Sequence, residues 1–146
     1  MRIDRLLFVI GFALYAGAFF LPAVFETGSA PLRGYDCALV TLIQVWTHDN
    51  RALIHEEPVT YISLLVSGWI NPLFLLTAIF TAFRKARKLA GILRILVLLM
   101  IPFCWVAFHN VKVRPREGHF LWIIGMLLVL FSNQFRPADE KMLPRT

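Results

Sequence analysis

The chain reads as an all-α integral membrane protein: four spanning helices in one bundle, an amphipathic helix on the outer side, and both termini in the cytoplasm. Three features carry that reading. Of 146 residues, 58% are hydrophobic and 16% charged, against about 45–50% and about 25% in a soluble domain. Mean hydropathy is +0.67, and the 13 Phe leave little for a polar shell. The apolar residues fall in four long runs, and the basic residues fall mostly between and outside them. This composition excludes a disordered chain, a disulfide scaffold and an ordinary soluble enzyme domain.

The runs set the spans at residues 6–25, 59–83, 89–108 and 119–135. Each must be helical, because lipid cannot satisfy a loose backbone or an open sheet edge. About 20 residues at 1.5 Å each cover a hydrocarbon core of about 30 Å. The first run is too long for a signal peptide's apolar region of about 7–15 residues and is read as a span. Residues 26–58 form the long outer loop, 84–88 a tight basic turn, and 136–146 a polar tail, all in one membrane domain.

Charge orients the bundle. Arg2, Arg5, Arg84, Lys85, Arg87, Lys88, Arg94, Arg136, Lys141 and Arg145 fall on one side, and only Arg33, Arg51, Lys112, Arg114 and Arg116 on the other. The richer side is cytoplasmic by the positive-inside rule. The net charge of +6 is thereby used by topology, and no basic face is left for nucleic acid.

The outer loop is not featureless. Gly28, Pro31 and Gly34 make a turn-rich approach to Asp36–His48, where Leu39, Leu42, Ile43 and Trp46 recur at helical spacing. That pattern predicts an amphipathic helix, with Asp36 near its positive end. Two readings stay open: a lid packed on its own bundle, or a docking surface for a partner. Cys37 lies in this helix and Cys104 in the third span. Without a CxxC pair they are read as two inert thiols, to be bridged only if the loop folds into the bundle.

Chemistry has few footholds. Gly68-Trp69-Ile70-Asn71-Pro72 falls mid-span. Proline removes a backbone donor and displaces the carbonyl four residues back, that of Gly68. Asn71, Pro72, Gly68 and Trp69 are therefore the candidate contact for a substrate or partner, with a kink satisfied inside the bundle as the plainer alternative. His109, Glu117 and His119 make a candidate outer polar cluster. Two histidines fall short of the roughly four ligands of a closed zinc site, with His48 and His55 of the outer loop as the only further donors of that kind, so no metal and no other cofactor is expected. No Asp, Glu or Lys lies deep in a span, and Ser63 and Ser67 share a helix face with no base beside them. No enzyme activity is expected. Ala13 and Gly17 form a small-xxx-small pair suited to close helix packing, either within the monomer or between copies.

Leu21-Pro22-Ala23, Gly28 with Gly34-Tyr35, Trp69-Ile70-Asn71-Pro72-Leu73 and Gly118 with Leu121-Trp122 together resemble small four-span inner-membrane proteins of bacteria. The resemblance implies an inner-membrane helical bundle and brings no activity and no functional residue with it. The function expected is that of a non-catalytic accessory or regulatory protein of the subunit, immunity or defence type. It would act in the lipid bilayer through contacts with another membrane protein, an incoming factor or a second copy of itself. The alternatives are a small transporter or oligomeric channel with its path at the broken second helix, and, more distantly, a haem- or metal-binding membrane protein. The charge asymmetry makes a direct prediction. In a background lacking Cys37 and Cys104, a cysteine replacing Asn50 is labelled by an impermeant maleimide from outside the cell; labelling from the cytoplasmic side alone contradicts the orientation.

Overall fold

The computed structural model describes residues 3–25, 30–44, 56–83 and 86–132. In chain order these form α1 (Ile3–Ala18), β1 (Pro22–Phe25), β2 (Leu32–Arg33), α2 (Gly34–Gln44), α3 (Pro58–Ala82), α4 (Arg87–Asn110), β3 (Arg114–Pro115) and α5 (Glu117–Phe131). The helices pack as two pairs, α1 with α5 and α3 with α4, and α2 lies across α3.

The α3–α4 hairpin follows from two matching seams. On α3, Thr60, Ser63, Ile70, Phe74 and Thr77 are buried; on α4, Val97, Met100, Cys104 and Ala107 are. Both sets advance in steps of three, four or seven, the spacing that keeps one face of a helix turned to a neighbour. The hydroxyls in the α3 seam need no partner across it. Ser63, Ser67 and Thr77 donate to the carbonyls of Val59, Ser63 and Leu73 on their own helix, at 2.8, 2.7 and 2.7 Å. Pro58 opens α3 at a position where its missing N–H costs nothing. At its far end α4 stops where Lys112 enters the left-handed region, φ 56°.

Among the described residues these are the two helices long and apolar enough to cross a membrane: Pro58–Thr81, mean hydropathy 1.8, and Lys88–Asn110, mean hydropathy 2.4. The first and fourth expected spans are shorter. With 16 and 15 residues, α1 and α5 reach about 22–24 Å. Helix α1 ends at Ala18 rather than at residue 25, because the chain turns and Pro22–Phe25 becomes a strand. Proline disfavours helix in the residue before it, and Val24 and Phe25 are good strand formers. This strand is the centre of a three-stranded antiparallel sheet in the order β2-β1-β3. Pro22 pairs with Arg33 and Val24 with Leu32 on one side; Val24 pairs with Pro115 and Phe25 with Arg114 on the other. The sheet gathers the end of α1, the approach to α2 and the α4–α5 connection at one end of the bundle.

Helices α1 and α5 run antiparallel, since Gly11 meets the stretch around Gly125–Val129 while Pro22 meets Gly118. The crossing is a glycine contact. A Cβ on Gly125 would lie 2.5 Å from the backbone nitrogen of Tyr15 and 2.7 Å from the carbonyl oxygen of Gly11. The expected small pair does not make this interface: Ala13 and Gly17 are exposed, and nothing lies within 4 Å of a Cβ on Gly17. Gly125→Ala therefore forces two backbones apart and is expected to destabilise the protein by at least about 1–3 kcal/mol. Gly17→Ala meets no obstacle and should be neutral or mildly stabilising. Thermal or denaturant unfolding of the two variants in detergent checks the contrast.

Candidate functional site

Asn71 sits where the two helix pairs meet. Its Oδ1 accepts a hydrogen bond from the Tyr15 hydroxyl of α1 at 3.0 Å and another from Trp122 Nε1 of α5 at 2.8 Å. An indole N–H can only donate, so these bonds fix which end of the amide is oxygen, and they fill both its lone pairs. The most polar residue of α3 thus faces other helices. Pro72 lies within the uninterrupted α3, and Trp69 is 41% exposed, on the outward side.

Gly68 has a role that the proline argument does not reach. It is buried, and a Cβ there would stand 2.8 Å from the carbonyl oxygen of Thr41 and 3.3 Å from Leu42 Cα. Helix α2 packs on its own bundle, backbone against helix, at this glycine. Its N-terminus is tied down as well, with Gly34 N–H donating to Leu21 O at 3.1 Å and Tyr35 N–H to Phe19 O at 3.0 Å. The close approach selects small residues for the inner face: Cys37, Ala38 and Thr41 turn inward. Leu39 and Ile43, two of the apolar residues at helical spacing, are 56% and 50% exposed. Trp46 and the histidines at 48 and 55 lie outside the described residues.

Beneath α2 is a cavity of about 250 Å³, walled by the sheet, α2, α3, α4 and α5. Its surface is mainly apolar, with Phe19, Phe108 and Trp122 among its aromatic walls and Asn71, Ser67 and His119 among its polar groups. Both cysteines line it, and both are free thiols. The Cys37 thiol is pushed up to about 11, first by burial and then by the neighbouring Asp36 charge. Cys104 lies within hydrogen-bonding reach of Ser67.

His109, Glu117 and His119 occupy different surroundings. His109 is exposed and borders a shallow groove with Glu57, Thr60 and Lys112. Glu117 is exposed and accepts from Arg116 Nε at 3.3 Å; backbone hydrogen bonding and that guanidinium hold its carboxyl below the usual range. His119 is buried in an aromatic box, with ring centroids at 4.6 Å from Phe108, 5.3 Å from Trp122 and 5.5 Å from Trp105. Its Nε2 is buried and has no hydrogen-bond partner among the described residues. Among the described residues, no three His, Cys, Asp or Glu side chains are grouped to hold a metal ion. The site residues that sequence reasoning passed over are Tyr15, Trp122 and the small inner face of α2. Trp122 carried a signal, because a buried indole N–H needs an acceptor and Asn71 is the polar residue nearest the middle of the second apolar run.

No protein-family model, curated protein or solved structure matches the chain.

The lid contact makes a prediction. Gly68→Ala pushes α2 away from α3, exposes the Cys37 thiol and relieves the burial that raises its pKa. A lower pKa means more thiolate at pH 8, so alkylation of Cys37 should quicken by on the order of ten- to a hundredfold. Mass spectrometry of the Cys37 peptide over time reads the change.

Proposed function

We propose that the chain is a non-catalytic, multi-pass protein of the bacterial cytoplasmic membrane, an accessory or regulatory bundle that acts through contacts with another membrane protein. The observation that carries this reading is inverted polarity. On α4, Ile92, Ile95 and Leu99 are each more than 60% exposed, and Val9 of α1 and Ile79 of α3 are exposed beside them. Asn71, Ser63, Thr77 and His119 are turned inward. In water such a surface would aggregate; in lipid it is the solvent-facing side. Two helices cross at full length, and the shorter α1 and α5 cross with help from their flanking segments and local bilayer thinning.

The interior polar groups support a structural rather than a chemical role. The Asn71 oxygen holds helices together, and the hydroxyls of Ser63, Ser67 and Thr77 are bonded to their own backbone. Leu39 and Ile43 leave α2 with outward apolar residues, placed to meet a neighbour at the outer membrane surface. A transporter or channel reading is favoured by one observation, that Asn71 lines the cavity; it requires solute flux in proteoliposomes that changes with Asn71→Ala.

The test uses the full chain in its native membrane. It should remain in the pellet after alkaline carbonate extraction. A photoreactive residue replacing Ile43 should crosslink to one defined membrane protein, whereas the same probe replacing Phe74 should not. Extraction into the soluble fraction, or identical crosslinks from both positions, contradicts the proposal.

A further inference from the structure

We infer that the cavity under α2 is a binding site for a neutral, flat, apolar ligand of one or two fused rings that carries a carbonyl acceptor, the chemical class of a quinone head group. Size comes first. An apolar cavity of about 150 Å³ holds one benzene ring, so about 250 Å³ has room for a second ring. Shape follows from the walls: Ala18, Ala38 and Ala107 leave space, while Phe108 and Trp122 present aromatic surfaces. Charge is excluded on both sides, because no Lys, Arg, Asp or Glu is among the described residues that line it, and a buried unpaired charge is costly.

The hydrogen-bonding polarity selects an acceptor. Tyr15 and Trp122 fill the Asn71 oxygen, so the amide NH₂, which has no partner among the described residues, is what Asn71 has left to offer the cavity it lines. His119 also lines the cavity, is only 6% exposed, and has an unpartnered ring nitrogen. A neutral imidazole carries one N–H donor. The Asn71 N–H and, in the Nε2–H tautomer, that of His119 face an apolar chamber; a carbonyl-bearing ring satisfies them, whereas a hydrocarbon leaves both unpaired. The site lies beneath α2 and not on the outward faces, so it is independent of which protein those faces meet.

The probe is 2,3-dimethyl-1,4-naphthoquinone, whose substituted ring cannot arylate Cys37 or Cys104, and the control is 2,3-dimethylnaphthalene. Binding to the full chain in detergent is measured by equilibrium dialysis and by quenching of tryptophan emission. One saturable quinone site per chain is expected, with the hydrocarbon weaker by at least about tenfold, the loss that follows from leaving donors unpaired. Asn71→Leu should weaken quinone binding by a similar factor. Because Asn71 also holds helices together, Ala38→Phe provides the second variant. It places a ring in the cavity from α2, leaves both donors intact, and should abolish binding while helicity is retained. Equal affinity for the hydrocarbon, binding unchanged by Ala38→Phe, or no saturable binding overturns the inference. Such a failure leaves the membrane reading standing, since that reading rests on the outward faces.

Discussion

One amide oxygen ties together three helices drawn from both halves of this bundle. Helices α1 and α5 form one pair and α3 and α4 the other, and direct packing of α3 on α5 is sparse. Asn71 bridges the gap by accepting from Tyr15 on α1 and Trp122 on α5, and the Tyr15 and Phe74 rings meet beside it at 4.4 Å. Away from water, a hydroxyl or indole N–H without an acceptor costs about 1–3 kcal/mol. Rotating any of the three helices would leave at least one of these donors unpaired. The bonds therefore set the rotation of each helix about its axis as well as its distance, and so which faces turn outward.

With the rotations set, the remaining contacts are matters of close approach. Gly125 lets α5 lie against the backbone of α1, and Gly68 lets α2 lie against α3. In a membrane there is little hydrophobic gain from moving one apolar helix onto another, so association relies on tight backbone packing and on hydrogen bonds. On the membrane reading proposed above, that constraint accounts for small residues facing inward on α2 and large ones outward. It also explains the cavity: a helix held by its backbone at one glycine, above small side chains, does not fill the space beneath it.

The α3–α4 hairpin was legible in the sequence because two long apolar runs flank a short basic turn, a local and strong pattern. Asn71 was legible as the polar residue in mid-span, although the partners that it would find were not. The end of α1 was hidden. Strands of two to four residues have no pattern of their own, and Pro22–Phe25 exists because it pairs with residues 32–33 and, some ninety positions away, 114–115. The spacing of Leu39, Leu42 and Ile43 marks α2 as amphipathic but does not say whether its large apolar residues face the bundle or turn outward. The close approach at Gly68 decides it, favouring Cys37, Ala38 and Thr41 on the inner face. His109 and His119 looked like neighbours across a short connection, but the turn places one in an exposed groove and the other among aromatic rings.

The most direct measurement of this account is a double-mutant cycle on the stability of the full chain in detergent. Tyr15→Phe and Trp122→Phe are each made alone and in combination with Asn71→Leu. If the shared oxygen couples the helix pairs, each aromatic substitution costs stability in the wild type and much less once Asn71 is gone, with a coupling energy of about 1 kcal/mol or more for each pair. Effects that add within about 0.3–0.5 kcal/mol would show that Asn71 does not hold the bundle together and would contradict the account.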